Sequence, residues 1–108
     1  MNKPVECVFC RIIAGKEPAD IVYQDDEVIV FRDHRPRAPV HLLICPKVHY
    51  PDFVSAPVEV HRMLCDTVKK VAQLEGVKAG QFRLVINNGA NWGQIVFHLH
   101  YHFMAGER

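Results

Sequence analysis

The sequence has almost no surplus charge: thirteen Lys and Arg face twelve Asp and Glu in 108 residues, for a formal +1. Duplex nucleic acid and anionic membrane surfaces are recognised through positive excess, so neither is an expected partner. No apolar run approaches the roughly 20 residues of a membrane span, and MNKPVECVFCRII lacks the apolar stretch and small-residue cleavage site of a signal peptide. A cytoplasmic protein is expected. Internal repeats, low-complexity tracts and linker-like shifts in composition are also lacking, which predicts a single domain over 1–108. With only four cysteines and a normal apolar fraction, the chain does not read as a disulfide scaffold. Cys45 and Cys65 lie in apolar and helical runs and read as buried, reduced packing residues. Cys7 and Cys10 form a C-x-x-C pair suited to metal or redox work.

What is present is a succession of short elements. A helix is predicted over 8–14, with Phe9, Ile12 and Ile13 on one face, Gly15 as its cap and Pro18 preventing continuation. DIVYQ (20–24) and EVIVFRD (27–33) read as a hairpin turning at Asp25 and Asp26. HLLICP (41–46) is apolar on both faces, as a central strand would be, and Pro46 ends it. Apolar residues at helical spacing from Pro57 to Leu74 predict the one long helix, with Ser55 as a cap and Gly76 past its end. FRLVINN (82–88) and FHLHYHFM (97–104) are the last strands, joined by the turn-rich GANWGQ. The order predicts an α+β fold with a five-stranded, mainly antiparallel sheet, one long helix and one short.

The last strand carries the chemistry. Side chains alternate along a strand, so His98, His100 and His102 share one face, roughly 6.5–7 Å apart, while Leu99, Tyr101 and Phe103 take the other. Such a row suits two purposes. Neutral imidazoles two residues apart can converge on zinc with a ligand from elsewhere. Alternatively, the middle imidazole attacks an electrophile while its neighbours orient it and move protons, as an imidazole of pKa about 6.5 can at neutral pH. The preceding Asn87–Gln94 segment holds glycines and amides whose N–H groups suit phosphate oxygens, and this favours phosphoryl chemistry, with Asn87, Gly93 and Gln94 as candidate contacts.

GQIVFHLHYHFM resembles the histidine triad signature, in which three histidines alternate with apolar residues. FCRIIAGKEPADIVYQDDEVIVFRD, RAPVHLLICPKVH and RLVINNGANWGQ resemble successive blocks of the same family's nucleotide-binding (Hint) branch, so the likeness covers nearly the whole chain. The resemblance implies that His100 is a nucleophile attacking the α-phosphorus of a nucleotidyl substrate, with a nucleotidyl-histidine intermediate. His98 and His102 flank it and His41 supports it from a neighbouring strand. Asp33 matches the acid that binds ribose hydroxyls, and Asn87 the asparagine near the phosphate. Phe31, Phe9 and Ile12 match the nucleobase pocket.

The implied activity is hydrolysis of nucleoside 5′-phosphoramidates or related nucleotidyl conjugates, with purine nucleotides such as AMP or GMP conjugates as ligands and no cofactor required for catalysis. The alternatives are a dinucleoside polyphosphate hydrolase or nucleotidyl transferase of the same superfamily, or a nucleotide-binding protein with little catalysis. A homodimer with a continuous sheet is also implied. Two departures stand out: Ile95 replaces the Ser or Thr found in many members, and the sequence ends at Arg108 where many continue into a Trp-containing tail. In the wider superfamily, a C-x-x-C pair and two histidines bind structural zinc, and Cys7, Cys10, His49 and His98 occupy the matching positions.

Overall fold

The computed structural model describes residues 7–75, 77 and 80–106. Helix α1 (Val8–Ile13) leads into strands β1 (Ile21–Gln24), β2 (Val28–Arg32) and β3 (Val40–Pro46). Then come helix α2 (Val58–Leu74), strand β4 (Phe82–Val85), a 3-10 turn at Ala90–Trp92 and strand β5 (Tyr101–Ala105). The five strands form one sheet in the order β1-β2-β3-β5-β4. Every neighbouring pair is antiparallel. The fold expected from the sequence is the one observed.

The central position of β3 explains its composition. Alternate residues of β2 and β3 serve two faces, so the buried runs Val28–Phe31 and Leu42–Cys45 are apolar on both. Val28, Val30, Leu42 and Ile44 meet Leu64, Val68 and Val71 of α2, together with Leu99, Tyr101 and Phe103. Ile29, Phe31, Leu43 and Cys45 point the other way, against Phe9 and Ile12 of α1. Helix α2 buries Leu64, Thr67, Val68 and Val71, the i, i+3, i+4, i+7 stripe of a helix with one apolar face. At the β1–β2 turn, the Asp25 carboxylate accepts the Glu27 and Val28 N–H groups at 2.8 and 2.9 Å, fixing the hairpin.

Several boundaries differ from expectation. Pro57 occupies the N-cap of α2, and Ser55 does not cap it; the Ser55 hydroxyl pairs instead with Asp52. Gly76 lies outside the described residues. Cys65 is exposed, because it sits one step of about 100° round the helix from Leu64, off the buried stripe. The largest correction concerns the histidines: β5 begins at Tyr101, so His102 alone of the three lies in the ladder. Beyond the Ile44–Tyr101 pair, β3 offers Pro46, which has no N–H to donate, and the Leu99 N–H goes to the Tyr50 carbonyl at 2.7 Å. Losing that partner also ends β4 at Val85, three residues sooner than expected.

Candidate functional site

The side-chain alternation survives where the ladder does not. Leu99, Tyr101 and Phe103 are buried toward α2. His98 and His100 face Phe9 on the α1 side, with ring centroids 5.8 and 5.0 Å from its own. His102 lies 5.0 Å beyond His100, and His41 of β3 lies 5.2 Å beyond His102. On the other flank, His49 stands 5.0 Å from His98. Five imidazoles thus run along one side of the sheet.

Backbone groups fix which nitrogen of each ring carries the proton. The His100 Nδ1–H donates to the His98 carbonyl at 2.7 Å, which leaves Nε2 as a bare lone pair. The Arg37 N–H donates to His41 Nδ1 at 3.0 Å, so His41 carries its proton on Nε2 and directs it to His102 Nδ1, also at 3.0 Å. His102 then carries its proton on Nε2. Burial keeps these rings neutral. It lowers the pKa of His100 against the opposing pull of the His98 carbonyl and the Asp33 charge. His102 falls to about 4 through burial and then the neighbouring His100, His41 and Arg37. His41 is lowered by burial too. The row therefore offers a nucleophilic lone pair beside a proton-bearing nitrogen, the pair of groups that displacement at phosphorus uses.

Asp33 follows β2, and its carboxylate accepts the Arg35 N–H at 2.9 Å and approaches His41 Nε2 at 3.4 Å. Phe9, Ile12 and Phe31 are buried in one cluster, with Phe9 edge-on to Phe31 at 5.2 Å. In the Asn87–Gln94 segment, Gly89 and Gly93 both adopt φ of 91°, which favours glycine strongly. A Cβ on Gly93 would stand 3.5 Å from the Asn87 side chain, so the asparagine lies directly beside it.

Gln94 holds this loop rather than offering its amide outward. Its buried Oε1 accepts the Gly89 N–H, and its Nε2 donates to the Pro51 and Val96 carbonyls. Sequence reasoning missed the Arg37 N–H and the Pro46 and Tyr50 carbonyls. The two prolines bracketing Arg37, four residues before His41, were the only available hint; main-chain partners leave no composition signal.

The C-x-x-C pair meets the other end of the histidine row. Cys7 caps α1, its sulfur accepting the Cys10 N–H at 3.4 Å. The His98 Nε2–H donates to the Pro46 carbonyl at 2.8 Å, turning the Nδ1 lone pair toward both sulfurs at 3.5 Å and His49 Nδ1 at 3.2 Å. Cys10 Sγ lies 3.3 Å from His49 Nδ1.

One ligand atom from each of Cys7, Cys10, His49 and His98 falls within a 4.8 Å cluster. Tetrahedral zinc with ordinary Zn–S and Zn–N bonds has ligand-to-ligand edges of about 3.3–3.8 Å, so donor types and spacing both fit. Burial pushes the Cys10 thiol up to about 11 and the His98 ring down to about 4. A divalent cation would reverse the first effect and suit the second. Asp33, His41 and His102 form a second close group. There the His41 Nε2 is occupied by its proton, given to His102 with the Asp33 carboxylate beside it, which makes that group hydrogen-bonded rather than metal-binding.

Among known proteins, the family description "HIT domain" matches residues 14–108. A purine nucleoside phosphoramidase of Escherichia coli is 38% identical over 104 residues, covering 94% of this chain and 87% of its own. A histidine triad protein from Clostridium difficile superposes with a TM-score of 0.92 at 37% identity, over 100% of this chain and 96% of that one. A zinc-bound histidine triad family protein from Mycobacterium smegmatis superposes with a TM-score of 0.87 at 31% identity, covering 97% and 78%.

Proposed function

We propose, from the premise that this chain belongs to the HIT domain family, that it is a hydrolase of nucleoside 5′-phosphoramidates or related purine nucleotidyl conjugates. The observation that carries this reading is the hydrogen bond of His100: its Nδ1–H is held by the His98 carbonyl, so Nε2 keeps its lone pair in a ring whose centroid lies 5.0 Å from that of His102. In the first step, Nε2 of His100 bonds to the α-phosphorus and the bond from phosphorus to the leaving nitrogen breaks. His102 Nε2–H hydrogen-bonds the departing nitrogen, which takes up a proton from solvent and leaves as the amine. In the second, water attacks the same phosphorus, the bond to His100 breaks, and the water's proton returns to solvent. Nucleotide and amine are the products, and no net proton is consumed by the protein.

His41, itself fixed by the Arg37 N–H, holds His102 in the tautomer that bears its proton on Nε2. In the same reading, Asp33 accepts ribose hydroxyls and Asn87 and the Gly93 backbone approach the phosphate. Phe9, Ile12 and Phe31 border the base. Zinc, where bound by Cys7, Cys10, His49 and His98, supplies structural cross-linking of α1 to the sheet. The edge strand β4 exposes Phe82 and Leu84, with Ile86 just beyond, and a second copy pairing there would cover them in a homodimer.

Incubation with adenosine phosphoramidate should release AMP, and His100→Ala should lower the rate by about 10³-fold or more, as loss of a nucleophile does. Undiminished turnover in that variant overturns the assignment.

A further inference from the structure

Residue His98 belongs to two constellations at once, and the ways it does so are chemically distinct. Its ring is completely buried, with one nitrogen donating to the Pro46 carbonyl and the other facing Cys7, Cys10 and His49. Its carbonyl is the sole acceptor found for the His100 Nδ1–H among the described residues. The next residue is held by the segment that supplies His49, through the Leu99 N–H to the Tyr50 carbonyl. Helix α1 makes a second connection. It is only six residues long, too short to persist without tertiary support, and its cap residue is Cys7. Between the two cysteines, on the inner side, Phe9 packs edge-on against His100 at 5.0 Å.

We propose that Cys7, Cys10 and His49 are positioning residues for His100, acting when they share a metal with His98. The inference rests on the zinc and nucleophile roles proposed above. The metal fixes the His98 ring, the ring fixes the peptide whose carbonyl selects the His100 tautomer, and the same four ligands seat Phe9 against the His100 ring. Metal loss therefore frees the His100 ring to rotate and to place its proton on Nε2, the atom that must attack. His41 and His102 are held separately, by the Arg37 N–H, and do not follow.

That asymmetry supplies the test. Nitrogen-15 NMR of the histidine rings at neutral pH would compare the zinc-loaded protein with the Cys7→Ser/Cys10→Ser variant. The zinc-loaded protein should show His100 as a single Nδ1–H tautomer with a slowly exchanging ring proton. In the variant, the His100 resonances should move toward the average of two tautomers while those of His41 and His102 stay in place. An unchanged His100 signature in the folded, metal-free variant overturns the proposal, as does equal movement of all three rings, which marks general loosening.

Should the variant fail to fold, cadmium exchanged for zinc in the wild-type protein asks the same question with the fold retained. The longer metal–ligand bonds should shift His100 more than His102; equal or absent shifts overturn the coupling. Protein that takes up neither metal overturns it as well. None of these readouts involves a substrate, so failure of the phosphoramidase reading would register separately, as an ordered His100 ring without release of AMP.

Discussion

The two faces of the sheet are made by alternate residues of the same strands, yet they are built to different ends. Toward α2, Val28, Val30, Leu42, Ile44, Leu99 and Phe103 form a continuous apolar layer. Toward α1, the layer of Ile29, Phe31, Leu43 and Cys45 gives way to imidazoles and thiols paired with one another and with main-chain groups. Period-two alternation lets one short segment, 98–103, serve both without compromise. The difference teaches that stability and chemistry can be separated by a single residue step.

The sharpest test of that separation is a crossed pair of substitutions. His100→Ala should remove about 10³-fold or more of the hydrolytic rate while changing the urea midpoint little. Phe103→Ala, three residues on, should cost about 3–5 kcal/mol of stability, because Phe103 is fully buried and stacks on Phe82 at 4.8 Å. Equal losses of stability from both variants would break the comparison. A smaller effect is expected at Gly106, where φ is 123° and a Cβ would lie 2.6 Å from the Pro39 Cβ. Gly106→Ala should cost about 1–3 kcal/mol and displace the loop carrying the Arg37 N–H, so His41 should lose its fixed tautomer before the α2 face loosens. Nitrogen-15 spectra of His41, read beside a melting curve, check the order of events.

The faces should also respond differently to acid. His102 titrates near 4 when folded and near 6.5 when unfolded, and the pKa of His41 is displaced in the same direction. The unfolded chain therefore binds more protons between these values, and stability is full above about pH 6.5 and falls as pH drops toward 4. Urea midpoints at pH 7.5, 5.5 and 4.5 should decline in that order, and replacing His102 with Gln should flatten the decline. A profile unchanged by that substitution would contradict the burial of a neutral His102. The smallest expected change in stability is at Ile95, which is 88% exposed. Ile95→Ser should alter stability by no more than about 0.5 kcal/mol, and any shift it causes in turnover between amine leaving groups would locate that end of the substrate.

Much of this arrangement was legible in the order of residues. The doubly apolar β3, the β2 hairpin with its aspartates and the 3.6-residue stripe of α2 followed from patterning alone, and the histidine alternation pointed to one face. The fold followed because each element's local preference agrees with its place in the sheet. The start of β5 was not legible, since it depends on Pro46 offering no donor to a strand that begins at Tyr101, far along the chain. Cys65 was misplaced because a helical run does not by itself say which residue falls just outside the stripe. Gln94 appeared to be a ligand-facing amide because its partners, the Gly89 N–H and the Pro51 carbonyl, are main-chain groups with no signature of their own.

The loop before the histidines carries the chain's single tryptophan, Trp92, with 81% of its surface in solvent. An indole already bathed in water has little wavelength left to lose on denaturation, so its emission is nearly silent about folding. A base or phosphate settling on the Asn87–Gln94 segment, which contains it, would change its surroundings directly. Fluorescence of the native chain thus serves as an occupancy gauge, while circular dichroism keeps an independent record of the fold.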